Sequence, residues 1–141
     1  MESVKIKIEQ EITVERIKDL LCTAFEGGTG YWALVLDGAE QEDMDKVGAE
    51  YYHEIPALGG ELNIYDRDVS HYGIEPPELL GVINKERIEI ALNLMAEGKN
   101  EDGTDAEYLK RHMDDFLNDN EDSDTGDVFV QMAVMGKLVY G

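Results

Sequence analysis

AFEGGTGYW, residues 24–32, decides how the rest of the chain is read. Three glycines in four positions precede a tyrosine and a tryptophan. A glycine loop that holds phosphate runs from a strand into a helix N-terminus, where free N–H groups and the helix dipole meet the anion. Here the order is reversed. VERIKDLLCTAF, residues 14–25, comes first, with Val14, Ile17, Leu21, Ala24 and Phe25 at helical spacing. Thr13 fits an N-cap and Glu15 suits the first turn. YWALVL, residues 31–36, follows as a strand. The glycines therefore lie at the negative end of a helix, and neither GxxxxGK[ST] nor a strand–GxGxxG–helix context is present. The stretch predicts a helix stop with Gly27 or Gly28 in the left-handed conformation, not a phosphate cradle.

Working outward, VKIKIEQEI, residues 4–12, alternates apolar and polar and predicts a half-buried strand. Both faces of YWALVL are apolar, which predicts a central strand covered on both sides by helices or by a second subunit. Asp37-Gly38 reads as a turn. Residues 39–60 are acidic and broken by glycines and a proline, with a short helix near 41–50. ELNIYDRD, residues 61–68, alternates as a third strand. Residues 69–81 read as a connector with a short strand at His71–Gly73, because Pro76-Pro77 excludes regular structure. The last third is helical. Asn84 caps a helix with Ile88, Ala91, Leu92 and Met95 on one face, ended by Gly98. Thr104 and Glu107 fit a capping box that opens a helix with Leu109, His112, Met113, Phe116 and Leu117 inward. Ser123 caps TGDVFVQMAVM, which Gly136 ends, and KLVY reads as a closing strand. The expectation is a single α+β domain over residues 1–141, with a small, mostly antiparallel sheet of three to five strands and about four helices packed on it.

The 141 residues suffice for one domain with a working core and no disulfide or metal. Cys22 is the sole cysteine, and its place in a helical stretch makes it a packing residue rather than a nucleophile. MESVKIKIEQ has no apolar signal region, and no run reaches the length of a membrane span. The expected location is the cytoplasm. Twelve Lys and Arg against 32 Asp and Glu leave a net charge of −20. Such a field repels nucleic acid and anionic membranes and attracts basic protein surfaces. It serves solubility or high-salt adaptation, or it mimics a polyanion.

Sites of chemistry are sparse. The run NDNEDSD fails as an EF-hand: with Gly126 at the sixth position, the twelfth is Met132. His53, His71 and His112 lack metal-ligand spacing, and no GxSxG elbow occurs. No catalytic residue, metal or cofactor is expected, and the chain does not read as an enzyme. Asp114, Asp115, Asp119, Glu121, Asp122 and Asp124 form a candidate partner-binding patch, with Glu101, Asp102, Asp105 and Glu107 as a second. Trp32, Tyr51, Tyr52 and His53 are the candidate lining of an aromatic pocket.

ITVERIKDLLCTAFEGGTGYW, residues 12–32, resembles the opening of a family of small proteins of tailed bacteriophages and prophages that share a helix running into a Glu-Gly-Gly-x-x-Tyr-Trp turn. DFLNDNEDSDTGDVFVQMAVMGKLVYG, residues 115–141, is similar to that family's close, with Asp-x-x-Thr, Asp-Val-Phe, Gln and Gly-x-x-Val-Tyr-Gly. ALNLMAEG, residues 91–98, fits as well, while residues 37–80 diverge. The resemblance implies a phage setting and carries no catalytic residue. Gly126 departs from it as a poor helix former. A physical reading of the same motifs brings Tyr31, Trp32, Phe129 and Tyr140 into one cluster that ties the glycine turn to the end of the chain.

The expected function is that of a small acidic accessory protein that binds a host protein with a basic surface. In its strongest form it is an anti-defence inhibitor that mimics nucleic-acid charge. The alternatives are a small-ligand or nucleotide-binding protein or minor enzyme with an aromatic pocket, and a homodimeric scaffold joined through residues 31–36.

Overall fold

The computed structural model describes residues 3–4, 9–36, 41–67 and 77–141. They form helices α1 (Val14–Thr23), α2 (Gln41–Val47), α3 (Lys85–Glu97), α4 (Tyr108–Leu117) and α5 (Ser123–Met135), and strands β1 (Ala33–Leu34), β2 (Leu62–Asp66) and β3 (Leu79–Ile83). The strands make one antiparallel sheet in the order β1-β2-β3. The architecture is the α+β arrangement that the residue pattern predicts.

Helix α1 begins where expected. Thr13 is extended, and its Oγ1 accepts the Arg16 N–H at 3.2 Å. Ile17, Leu20 and Leu21 are buried. The end of the helix differs from expectation. No left-handed glycine stops it: Gly27 and Gly28 are absent from the positive-φ residues. The chain widens instead into a π-turn, Ala24–Gly28, closed by the Thr29 N–H on the Ala24 carbonyl at 2.9 Å. The glycines are needed for closeness rather than for handedness. A Cβ on Gly28 would run into the backbone carbonyl of Ser123, with Asp127 Cβ 3.3 Å away. A Cβ on Gly126 would lie 2.8 Å from Ala24 N and Cα. Two glycines thus let the π-turn and the first turn of α5 touch backbone to backbone. Gly126 is therefore no weak spot of α5 but a condition of its packing.

Helix α5 is the centre of the molecule. Every residue from Val128 to Val134 is buried, and α1, α3, α4, β3 and the π-turn all pack on it. Its N-cap is Asp122 and not the expected Ser123: the Asp122 carboxylate accepts the Thr125 N–H at 2.9 Å. Gly136, at φ 74°, ends it as expected. Helix α3 keeps its expected limits, with Asn84 accepting the Arg87 N–H at 2.9 Å and Gly98 left-handed at φ 70°.

Other expectations are corrected. YWALVL is not a central strand. Only Ala33 and Leu34 pair, and they form an edge. Tyr31 and Trp32 are held in a turn, where the N–H groups of Trp32 and Ala33 both meet the Thr29 carbonyl. The central strand is β2, in which Leu62 and Ile64 are buried against exposed Asn63. The last three residues of the expected connector, Leu79–Gly81, are instead part of strand β3 with Val82 and Ile83. Pro77 stands before the first pair and so removes no ladder bond. Thr104 does not cap α4; its hydroxyl and N–H turn back to Asp102 Oδ1. Leu117 is exposed rather than inward. Residues 137–140 form no ladder, and their backbone is held by a side chain described below. The expected turn at Asp37-Gly38, the strand at His71–Gly73 and residues 5–8 of the first predicted strand lie outside the described residues, and residues 9–12 carry no strand. Among the described residues no helix is long and apolar enough to cross a membrane.

Candidate functional site

The segments singled out in the sequence meet around Asp127. Its Oδ1 accepts the Trp32 Nε1–H at 2.7 Å. Its Oδ2 accepts the Tyr31 hydroxyl at 2.7 Å and the Gln131 Nε2–H at 3.1 Å. Asp127 and Gln131 are one helical turn apart and so share a face of α5. The Trp32 ring stacks on Tyr140, with centroids 5.0 Å apart and planes 10° from parallel. Gln131 has no exposed surface. Its Oε1 accepts the N–H groups of Val139 at 2.8 Å and Tyr140 at 2.9 Å, and its Nε2 also donates to the Tyr140 carbonyl at 3.1 Å. A single buried amide thus satisfies two consecutive backbone N–H groups and one carbonyl of the segment that follows α5. Burial, then the bond to Asp127, pushes the Tyr31 hydroxyl up to about 12. Phe129 is fully buried in the core. Asp127 and Gln131 were not expected as site residues, although their four-residue spacing marked them as neighbours.

The first acidic patch divides in two. Glu121 belongs to the interior. Arg16 grips it with Nη1 to Oε1 at 2.7 Å and Nη2 to Oε2 at 3.1 Å, while Nη2 also donates to the Phe116 carbonyl at 2.6 Å. The guanidinium carbon lies 4.7 Å from the Phe116 ring centroid. The hydrogen bond from Arg16 holds the Glu121 carboxyl below its ordinary range. Asp119 touches the same cation at 3.0 Å from an exposed position. Asp122 is the cap of α5, and the Thr125 N–H holds its carboxyl low. Asp114, Asp115 and Asp124 have no side-chain hydrogen bond or ion pair among the described residues. Each member of the second patch has a local partner. Glu101 pairs with Arg87 at 2.8 Å, Glu107 with Lys110 at 3.1 Å, Asp105 with Lys99, and Asp102 with Thr104.

The expected aromatic pocket is not one pocket. Trp32 faces Tyr140 and Asp127. Exposed Tyr51 stacks on buried His53 at 5.5 Å, and Tyr52 meets the same imidazole edge to face at 5.8 Å; burial pushes the His53 imidazole below its ordinary value. Tyr52 alone of the four lines a cavity of about 350 Å3, with Phe25, Thr29, Ala33, Leu34, Val35 and Arg67. Phe25 and Tyr52 meet edge to face at 5.7 Å on its wall, and the Arg67 guanidinium donates to the Ala33 carbonyl at 3.1 Å. Cys22 is partly buried, and burial with the nearby Glu26 raises its thiol, the opposite of what a nucleophile needs. No group of three or more His, Cys, Asp or Glu among the described residues could hold a metal ion.

No protein-family model, no curated protein and no solved structure matches the chain.

Proposed function

We propose that this is a small acidic accessory protein, of the phage type that its end motifs resemble, that binds a host protein through that protein's basic surface. In the anti-defence form of the reading, its carboxylates take the place of nucleic-acid phosphates. The observation that supports it is the placement of Asp114 and Asp115. They sit in the last turn of α4, which carries no basic residue, and neither has a cation partner among the described residues. Carboxylates at the negative end of a helix cost roughly 0.3–1 kcal/mol each. No described residue pairs with them, which supports the reading that they face a partner. Asp124, in the first turn of α5, is likewise without a cation partner among the described residues.

The test is affinity capture from bacterial lysate at low salt, eluted by rising salt, with wild-type chain beside a variant carrying Asp114→Asn and Asp115→Asn. A basic protein retained by the wild type, released by salt and lost from the variant supports the reading. The variant should also melt at the same temperature as the wild type or higher. Equal capture by both chains removes the proposal.

A second reading rests on the cavity beside Phe25, Tyr52 and Arg67, which is large enough for a small planar ligand. A ligand held there raises the melting temperature by mass action. Flat thermal shifts across a metabolite panel would remove it.

A further inference from the structure

The cavity beside β1 grades from a buried end to an open rim. Thr29 and Ala33 on its wall are buried, whereas Gly30 and Arg67 are exposed. The π-turn shapes the buried end, and turns of this kind recur at functional sites. It closes when the Thr29 N–H meets the Ala24 carbonyl at 2.9 Å. The Thr29 hydroxyl must share that same carbonyl and reaches it only at 3.4 Å. No described group donates to Thr29 Oγ1. A fully buried oxygen on the cavity wall thus keeps its capacity to accept. At the rim, a Cβ on Gly30 would meet nothing within 4 Å, and the Gly30 backbone is not left-handed. Neither packing nor handedness calls for glycine there, and its effect is to leave the rim without a side chain.

Phe25 and Tyr52 meet edge to face on the wall, and Arg67, bonded to the Ala33 carbonyl, adds a planar cation. Aromatic rings and guanidinium planes are the surfaces on which flat rings stack. The volume of about 350 Å3 lies near the lower end of the roughly 300–1,000 Å3 of ligand sites, which suits a compound of one or two fused rings. Charge narrows the class. Arg67 is already bonded, Asp66 precedes it, and the chain carries −20, so the surrounding charge opposes an anion. We infer that the cavity takes an uncharged, flat heteroaromatic compound of one or two rings, stacked among Phe25, Tyr52 and Arg67, that donates an N–H to Thr29 Oγ1. The inference rests on the second reading above, that the cavity holds a small ligand, and adds the ligand's chemical class. It does not involve the carboxylates of α4.

The experiment titrates the full chain with four probes and follows its backbone amide resonances. Indole and adenine are flat, uncharged and carry an N–H. 1-Methylindole lacks the donor, and indole-3-acetate adds a negative charge. The expected result is saturable binding of indole or adenine, through the millimolar range, that moves the Thr29, Gly30 and Ala33 amides and leaves those of α4 in place. 1-Methylindole should bind at least about threefold more weakly than indole, because Thr29 Oγ1 then gains no donor, and indole-3-acetate should also bind more weakly than indole. Thr29→Val keeps the backbone N–H that closes the turn. It should weaken indole or adenine roughly three- to tenfold and leave 1-methylindole unchanged. The comparison of indole with 1-methylindole needs only the wild-type chain, so it stands even if the variant does not fold. Equal affinity of both chains for indole and adenine, or shifts confined to residues outside the cavity, would overturn the inference. Saturation at the cavity by 1-methylindole or indole-3-acetate alone would overturn the ligand class while leaving a ligand in the cavity. Binding by none of the four probes would overturn the inference, whereas the second reading falls only if the wider metabolite panel is flat as well.

Discussion

Gly28 lies against the Ser123 carbonyl so closely that no other side chain fits between them. The adjacent Gly27 has room, since a Cβ there would stop 3.5 Å from Ser123 Cβ. The two glycines of one dipeptide therefore have different tolerances. Gly28→Ala should lower stability by roughly 1–3 kcal/mol, because the obstacle is backbone and cannot rotate away. Gly27→Ala should be neutral or stabilise by a few tenths up to ~1 kcal/mol, through the lower entropy of the unfolded chain. Urea unfolding of both variants checks the pair, and Gly126→Ala should behave like Gly28→Ala.

The cap of α5 provides a second contrast. Asp122→Ala should cost about 0.5–2 kcal/mol, since it frees the Thr125 N–H. Ser123→Ala should stay within about 0.5 kcal/mol of wild type. A larger loss at Ser123 than at Asp122 in thermal melts would reverse the assignment of the cap.

Arg16 and Glu121 set an acid limit on the fold. The Glu121 carboxyl is held below its ordinary value of 4.5, chiefly by its hydrogen bond from Arg16. A depressed folded value means that the ion stabilises the protein above the unfolded value, and that the benefit fades as pH falls through the folded one. Glu121→Gln should cost about 1–3 kcal/mol near neutrality. The difference from wild type should shrink steadily below pH 4.5. A difference independent of pH would show that shape, not charge, holds the pair.

Tyr31 gives a readout at the other end of the pH scale. Its hydroxyl is pushed up to about 12 by burial and by Asp127. The neutral phenol therefore adds stability below the ordinary value of 10, and that contribution is lost as pH rises from 10 toward 12. Titration followed by the ring carbon resonances should place Tyr31 high. Asp127→Asn should bring it part of the way down, because burial remains. Titration at the ordinary value in the wild-type chain would show that the bond to Asp127 does not persist in solution.

The local signals in the chain were largely legible. Thr13, Asn84, Gly98 and Gly136 act as a residue-by-residue reading expects, because caps depend on a few neighbouring atoms. The errors share one cause: they concern contacts between distant segments. Gly28 and Gly126 look like breakers until the Ser123 carbonyl and Ala24 are brought against them. Leu79–Gly81 look like the end of a connector until β2 pairs with them and Gly81 lets the Val134 carbonyl approach. KLVY has the composition of a strand and finds a glutamine side chain instead of a ladder. In the acidic run, composition counted the charges but could not separate Glu121, claimed by a cation 105 residues away, from Asp114 and Asp115, which meet none. Of the aromatic set, Tyr51 and Tyr52 both meet His53, whereas Trp32 stacks on Tyr140 instead.

The central position of α5 also affects how the protein is made. A ribosome produces α1, β3 and α3 before the helix against which all of them pack. Until Ser123–Met135 emerges, α3 can pack on α4 and β2 on β3, but the helix that joins these pieces into one core is missing. The nascent chain must stay dispersed while it waits. A dense negative charge along the emerging polypeptide, through mutual repulsion, protects it from self-association over that interval.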